Sequence, residues 1–292
     1  MAYRVAEYYP YQDSGGSGEW DSGVLKINLD SWDQFHDVVT KLLEHGDFIW
    51  RGQTQDWKLK SKFDRIVENN RDEILAKHEK SFRRAIRGRR GHNPPQLKYK
   101  EDIWSLGQHY GLATPLLDWT ESPFVAAYFA FRKKSTSKLQ NAIVASVLLD
   151  QNKNNGKPEP ALKDAPSRFI YGLSKDLERW GPADSKGRPI TRFIKFVEPF
   201  SDENPRLLNQ RGLFTIPMSE KIDIEETVQA CYAADLEKGK SRIIFVKIKI
   251  LEIEREKCLR NLNTMNINHA TLFPDLIGAA EYCNLKLEIK DY

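Results

Sequence analysis

Residues 48–53 read Phe-Ile-Trp-Arg-Gly-Gln, three apolar residues followed by a cation, a glycine and an amide. The apolar run predicts a short buried strand with Arg51 at its end. A guanidinium in that position needs a partner, and its planar fork suits a phosphate or a carboxylate. Two interpretations stay open. Either Arg51 and Gly52 face a ligand that approaches the backbone, or Arg51 pairs with a carboxylate or a strand-end carbonyl of the protein itself.

A second polar stretch covers residues 108–123 and reads Gln-His-Tyr-Gly-Leu-Ala-Thr-Pro-Leu-Leu-Asp-Trp-Thr-Glu-Ser-Pro. In an extended chain Asp118 and Thr120 fall on one side and Trp119 on the other. Ser122 followed by proline is typical of a helix start. Titratable and hydroxyl groups at this density indicate a candidate site. The adjacent His109 is open to two interpretations, a proton-transfer group or a packed ring.

Two later stretches have a similar character. Residues 204–215 bring Arg206 and Gln210 to the start of a predicted strand, with Gly212 at the join. Residues 271–278 look structural, because Pro274 suits the first turn of a helix and Asp275 complements its dipole.

The hydrophobic pattern along the chain predicts an irregular mixture of helices and strands. The predicted helices lie near residues 31–45, 65–87, 100–110, 123–131, 173–180, 252–264 and 274–283. The predicted strands lie near residues 48–50, 116–119, 141–149, 190–198, 213–216, 244–250 and 285–289, and residues 151–166 are predicted to form an exposed loop. Because strands and helices do not alternate regularly, the fold class is α+β rather than a doubly wound parallel sheet. We expect one domain over residues 24–292, preceded by a flexible extension over residues 1–23.

Composition excludes several classes of protein. The 45 basic and 41 acidic side chains leave a net charge of only +4, which is weak support for a nucleic-acid partner. The basic run at residues 83–90 is therefore interpreted as a solvated helix end in preference to a nucleic-acid patch. The chain contains neither a GxGxxG motif nor a P-loop nor a GxSxG elbow.

The cysteines and the apolar runs bear on location and on metal sites. Three widely spaced cysteines give neither a metal-ligand spacing nor a disulfide framework, so we expect no metal and a reducing compartment. The N-terminus has no apolar signal core. The longest apolar run, residues 124–131, is too short to span a membrane. The expected location is cytoplasmic, without membrane attachment.

Together these stretches resemble the FRG domain family, which is named for an aromatic-Arg-Gly motif, here Trp50-Arg51-Gly52. The other matching positions are Trp57, Leu59, Glu79, Phe82, His109-Tyr110-Gly111-Leu112, Leu116-Leu117-Asp118-Trp119-Thr120, Arg206, Gln210, Gly212, Phe214 and Leu272-Phe273-Pro274-Asp275-Leu276. The order and spacing of these blocks extend roughly over residues 25–285.

The resemblance also extends to the ADP-ribosyltransferase fold, and it implies both an architecture and a ligand. The implied architecture is a split, mixed or antiparallel β-sandwich with flanking helices, and the implied ligand is NAD or a related nucleotide. The implied catalytic residues are Arg51, Asp118 and His109. The implied NAD-binding residues are Arg51, Gly52, Gln53, Tyr110, Trp119, Thr120, Arg206 and Gln210, with the two arginines on phosphates and Trp119 or Tyr110 stacked on a ring.

The implied reaction is cleavage of the N-glycosidic bond of NAD, with ADP-ribose passed to water or to a protein or nucleic-acid acceptor. A toxin or phage-defence effector is the setting that such a reaction suggests. The chain departs from the transferase pattern at Gly212, where that pattern has a catalytic glutamate. The alternative is therefore a non-catalytic module whose cleft recognises a nucleotide or a protein partner.

Overall fold

A computed structural model of the chain describes residues 17–21, 23–92, 94, 96–134, 165–175, 177, 194–198, 205–217, 223–229 and 243–292. The strands are β1 Ser17–Asp21, β2 Val24–Leu29, β3 Phe48–Gln53, β4 Leu117–Thr120, β5 Ser167–Ser174, β6 Ile194–Val197, β7 Gly212–Pro217 and β8 Phe245–Leu251. They form one sheet in the order β1-β2-β8-β5-β3-β4-β7-β6. The β2–β8 pair is parallel, and the other neighbouring pairs are antiparallel.

Helices flank this sheet. They are α1 Gln34–Leu43, α2 Arg71–Ala85, α3 Lys100–His109, α4 Pro123–Phe131, α5 Pro205–Asn209, α6 Arg255–Thr264, α7 His269–Leu272 and α8 Leu276–Glu288. A 3₁₀ turn, Glu252–Glu254, precedes α6, and residues 224–229 are helical.

The larger core lies on the face of the sheet that carries Trp50, Ile170 and Ile248, and we call it the helical face. Buried side chains of α1, α4 and α6 pack against it in one apolar cluster. Alternation along the strands sends the neighbouring side chains to the opposite face. There Ile49 and Phe245 join a second cluster with β4 and β7.

The strongest sequence signals fold as expected. Gln34 Oε1 accepts a hydrogen bond from the Ser31 N–H at 3.3 Å, which is half of the predicted capping box at the start of α1. Ser122 Oγ accepts a hydrogen bond from the Val125 N–H at 3.3 Å, and Pro123 is the first residue of α4. The strand predicted around 244–250 is β8, with its isoleucines buried and its lysines half-exposed.

The α+β class is confirmed, but the β-sandwich is wrong for the described residues. Their eight strands form a single mixed sheet. A second sheet is not required, because helices cover the apolar helical face and residues 224–229 contribute to the cluster on the opposite face.

Two predicted elements change type. Residues 173–174, predicted to start a helix, end strand β5, which pairs with both β3 and β8. The strand predicted at 285–289 overlaps the end of α8. Leu285 and Ile289 are buried while Leu287 is 89% exposed, so the spacing that decides burial is four residues, as in a helix, and not two.

Three further boundaries differ or cannot be compared. The helix predicted over 65–87 begins only at Arg71, because Asn70 adopts a left-handed conformation with φ of 54°. Residues 17–21, predicted within the flexible extension, form the edge strand β1. The strand at 141–149 and the loop at 151–164 lie outside the described residues, as do residues 1–16 of the extension.

Candidate functional site

The candidate site lies where β3 and β4 separate. The two strands share one register pair, Trp50 with Thr120, whereas β4 pairs with β7 along all four of its residues. Had the ladder continued, Gln53 would face Leu117. Instead Arg51 Nη1 donates a hydrogen bond to the Asp118 carbonyl oxygen at 2.7 Å. We call this region, bounded by Arg51–Gln53 and Leu117–Asp118, the β3–β4 gap.

Arg51 is a largely buried cation without a close carboxylate. Its side chain is 19% exposed, and the nearest recorded carboxylate oxygen, Asp118 Oδ2, is 3.8 Å from Nη1. Its Nε has no hydrogen-bond partner. Burial lowers the pKa of the Arg51 guanidinium, and the charge of Asp118 only partly opposes this effect. Both interpretations from the sequence therefore have support: Arg51 contacts a carbonyl within the protein, yet it retains a free donor.

Other buried arginines of this protein show what a complete pair looks like. Arg71 Nε lies 2.7 Å from Asp64, and Arg255 Nη1 lies 2.8 Å from Glu288. Arg168 contacts Glu252 at 2.5 Å. Arg71 and Arg168 also keep one unbonded guanidinium nitrogen each, so what distinguishes Arg51 is the longer distance to its carboxylate, which leaves an additional anion as a suitable partner.

The C-terminal end of α3 completes the rim of the gap. Gln108 Nε2 donates to Asp118 Oδ1 at 2.9 Å, and Thr114 Oγ1 donates to Gln108 Oε1. Asp118 is thus oriented by both Arg51 and Gln108. Next to Gln108, the half-buried ring of His109 meets Tyr110 edge-on, with 4.8 Å between ring centroids. Tyr110 is 74% exposed.

Gly52 and Gln53 occupy the other side of the gap in different ways. A Cβ on Gly52 would lie 1.8 Å from the Ala126 carbonyl oxygen of α4, so this glycine serves close packing on the helical face. The interpretation that it lets a ligand reach the backbone is therefore wrong for that face. Gln53 points to the opposite face, is 4% exposed, and has no partner for either Nε2 or Oε1.

Residues 46–139 match the FRG domain family. The chain contains an FRG domain. The matched segment includes β3, α2, α3, β4 and α4, so Arg51, Gln108 and Asp118 all belong to it. No curated protein and no solved structure matches the chain.

Two predicted NAD-binding residues of the FRG domain are part of its core. Trp119 is buried, and its Nε1 donates to Thr215 Oγ1 of β7 at 2.8 Å. Thr120 is also buried, and its hydroxyl donates to the Gln210 carbonyl oxygen at 2.6 Å. This placement leaves Tyr110 as the predicted stacking residue that a ligand can reach.

Arg206 and Gln210 lie outside the FRG match, and their side chains make hydrogen bonds to the segment before α8. Arg206 Nε donates to Asp275 Oδ2 at 3.0 Å, and its guanidinium lies 5.4 Å from the centre of the Phe273 ring. Gln210 Nε2 donates to the Leu272 carbonyl oxygen at 3.0 Å. Asp275 caps α8, its Oδ1 accepting the Gly278 N–H at 2.8 Å, so Pro274 precedes the cap and does not occupy the first turn.

Gly212 itself is tightly packed. A Cβ there would lie 2.6 Å from Leu207 Cδ1. A larger side chain at this position would require the flexible Leu207 side chain to shift.

A second polar surface, not predicted from the sequence, lies on the opposite face of β5 and β8. Tyr171 donates to Asp56 at 2.8 Å, and Lys247 contacts the same carboxylate at 2.6 Å. Burial first, and then the charge of Asp56, raise the pKa of the Tyr171 hydroxyl. Asp56 also borders a groove of about 460 Å³ with Lys247, Lys249 and Phe169. The half-wet alternation of β8 was the sequence signal for this surface.

The described residues also bear on the predictions about the basic run, the cysteines, metal binding and membrane spans. The basic run begins at the exposed end of α2, where Arg83 pairs with Glu79 at 2.7 Å. Cys258 and Cys283 are free thiols, and Cys231 lies outside the described residues. Within the described ranges, His, Cys, Asp and Glu side chains form no group that could hold a metal ion. In the same part of the chain, every helix is too short or too polar to cross a membrane.

Proposed function

We propose that the β3–β4 gap of the FRG domain binds a phosphate-bearing nucleotide, NAD foremost, through Arg51. The observation that carries the proposal is the state of this side chain: it is 19% exposed, its Nη1 lies 3.8 Å from the nearest recorded carboxylate oxygen, and its buried Nε is unbonded. A phosphate would supply the charge and the acceptors that Arg51 lacks. NAD is the first nucleotide to test, because the sequence motifs resemble those of the ADP-ribosyltransferase fold.

The surrounding side chains have roles that fit this ligand. The exposed ring of Tyr110 offers a stacking surface for a base or a nicotinamide. Gln108 holds Asp118 by a 2.9 Å hydrogen bond, which fixes the orientation of a carboxylate that can stabilise positive charge on the ligand. His109 follows Gln108 in the chain and is a candidate for proton transfer.

If the site is catalytic, the proposed reaction is cleavage of NAD. The bond between ribose C1′ and the nicotinamide nitrogen breaks, and nicotinamide leaves with the electron pair. Asp118 stabilises the positive carbon that forms. Water, or a nucleophile of a protein or nucleic-acid acceptor, then adds to C1′ and releases its proton to Asp118 or His109.

A second candidate function, a non-catalytic nucleotide-binding module, is favoured by Gly212. A glycine at this position supplies no carboxylate for the reaction. Binding by Arg51 does not depend on that carboxylate, whereas the transfer reaction of the resembling fold does.

The test is titration calorimetry of the full chain with NAD and with ADP-ribose. We expect Arg51→Ala to weaken both by roughly 10- to 100-fold, because a charge-assisted contact to phosphate is lost. Arg84→Ala, which removes an arginine at an exposed position of the same domain, is the matched control and should leave both affinities unchanged. Absence of binding, or equal binding by Arg51→Ala, contradicts the proposal.

Nicotinamide release separates the two candidate functions. An active enzyme liberates nicotinamide from NAD and loses this activity in Asp118→Asn, whereas a binding module releases none. If release occurs, induced expression of the wild type but not of Arg51→Ala should arrest bacterial growth. That arrest is what the toxin or phage-defence setting requires.

A further inference from the structure

Gln53 presents an amide with no partner in a buried position. The side chain is 4% exposed, and neither Nε2 nor Oε1 makes a hydrogen bond. Its strand is otherwise well paired, because Gln53 lies opposite Phe169 in the β3–β5 ladder. The unbonded atoms therefore belong to the side chain and do not reflect a frayed strand end.

Gln53 and Arg51 form one functional row. They lie two residues apart on β3, so both side chains leave the same face of the sheet. Arg51 Nε is also buried without a partner. Two donors and one acceptor are thus unbonded on the same face of one strand.

The end of the β3–β4 ladder is what keeps this row unpaired. The ladder stops at Trp50 and Thr120, three residues before Gln53. Burying polar atoms without partners is costly, and native proteins keep such groups mainly where a ligand or another unseen group completes them. The three unbonded atoms are themselves buried, so a ligand group has to displace part of their surroundings before it meets the amide of Gln53 and the free donor of Arg51 together.

We propose that Gln53 is the residue that determines specificity in the gap, and that it recognises a carboxamide on the ligand whose phosphate Arg51 binds. This inference rests on the proposed function. A primary carboxamide offers an NH₂ group that donates and a carbonyl oxygen that accepts, the complement of the two unbonded atoms of Gln53. In NAD that group is the carboxamide of nicotinamide.

The spacing along β3 favours the carboxamide over the other donor–acceptor edge of NAD, that of adenine. Positions two apart on a strand are separated by roughly 7 Å, so the recognised edge lies close to the bound phosphate. The carboxamide is a substituent on a single six-membered ring, whereas the adenine amino group lies across a fused double ring from its ribose.

The experiment compares three ligands by titration calorimetry on the full chain: NAD, nicotinic acid adenine dinucleotide and ADP-ribose. The second carries a carboxylate in place of the carboxamide, and the third lacks the nicotinamide. We expect the wild type to prefer NAD to the acid by at least about tenfold. In Gln53→Met, which keeps the length of the side chain and removes both polar atoms, NAD should bind as weakly as the acid.

ADP-ribose is the internal control, because it reports on Arg51 and the adenine half alone. Gln53→Met should bind ADP-ribose as the wild type does, and its melting temperature should not fall, since two unpaired polar atoms are removed. Should Gln53→Met be poorly folded, the comparison of NAD with the acid on the wild type decides the matter alone.

Three results would overturn the inference while leaving the proposed function in place. These are equal wild-type affinities for NAD and the acid, unchanged NAD affinity in Gln53→Met, and an equal loss of ADP-ribose affinity in that variant. Failure of the wild type to bind NAD or ADP-ribose, or binding that Arg51→Ala does not weaken, overturns the proposed function and this inference with it.

Discussion

Gly52 shows at the scale of one residue how closely the candidate site is built onto the core. The α4 backbone passes so near that the Ala126 carbonyl oxygen and the Ala130 nitrogen occupy the space of a side chain. Neither atom can move without shifting the helix. The position of Arg51 is therefore fixed by the packing of its neighbour against α4.

We expect Gly52→Ala to destabilise the protein by about 3 kcal/mol, because the added methyl group meets backbone atoms. Gly212→Ala is the matched control on another strand, where the obstacle is the flexible Leu207 side chain. Chemical denaturation of both variants measures the difference. A loss at Gly52→Ala no larger than at Gly212→Ala would contradict the proposed close contact with α4.

His269 is a buried histidine whose protonation affects the stability of the folded protein. Its Nδ1 lies 2.7 Å from the Tyr128 hydroxyl, and its ring stacks on Phe273 with 4.4 Å between centroids. Burial, and then the positive charge of Arg132, lower the pKa of His269 below its ordinary value of 6.5.

Because this pKa is lowered on folding, the unfolded state binds more protons once the pH drops below 6.5. The contribution of His269 to stability is therefore complete above that pH and declines as the pH falls. We expect His269→Gln to reduce the loss of unfolding free energy between pH 7 and pH 5. His36→Gln, at an exposed position, is the control, and an unchanged pH profile in His269→Gln would refute the assignment.

At the scale of elements, one hydrogen bond joins β4 to β7 inside the core. Trp119 Nε1 donates to Thr215 Oγ1 at 2.8 Å, and both residues are buried. Because an indole nitrogen can only donate, the residue at position 215 must provide a hydrogen-bond acceptor. The pair fixes the strand that carries Asp118.

We expect Thr215→Val to cost about 2 kcal/mol of unfolding free energy, because the shape is kept while the indole N–H loses its acceptor. Thr215→Ser keeps the hydroxyl and should cost less. Thermal and urea unfolding of the two variants provide the measurement. Equal stability of both would show that the hydrogen bond contributes nothing.

Elements with strong local signals could be predicted from the sequence, and elements decided by tertiary pairing could not. The alternation in β8 and the Ser-Pro start of α4 each predict their element directly. In α8 the apolar residues 285, 287 and 289 also alternate, yet the helix continues because Leu285 and Ile289 reach the core from one helical face. Strand β5 depends on its pairing with β3 and β8, which no local window contains.

For the candidate site, the sequence identified candidate residues but did not show which side chains contact one another. The motif around Arg51 and the stretch with Asp118 could be predicted to lie near each other only through the family resemblance. That Arg206 would pair with Asp275 is a fact of three-dimensional placement. The role of Gln108 in holding Asp118 was missed, because a glutamine in a helix carries no distinctive pattern.

At the scale of the whole molecule, the sheet pairs strand β2, early in the described residues, with strand β8, more than 200 residues later. Strand β2 lies between β1 and β8, and its Leu25, Ile27 and Leu29 belong to the main core. Strand β1 is an edge strand whose recorded pairing is with β2 alone. We therefore expect β2 to contribute much more than β1 to the stability of the fold.

We expect removal of residues 1–21 to leave a chain that still unfolds cooperatively at a lower temperature. Removal of residues 1–29 should abolish the cooperative transition, because β8 loses its parallel partner and the two apolar clusters lose four buried side chains, Val24, Leu25, Ile27 and Leu29. Circular dichroism melts of the two truncations test this. A cooperative melt of the shorter chain would show that β2 is dispensable.

The parallel pairing of β2 with β8 also has a consequence for how the protein is made. Roughly 200 residues separate the two strands, so at ordinary elongation rates β2 leaves the ribosome some 10 to 40 seconds before its partner exists. Throughout that interval the apolar strand β2 has no neighbour on the side where β8 will pair. The sheet of the described residues is therefore complete only after β8 has been synthesised, and we expect chaperones to hold the growing chain until then.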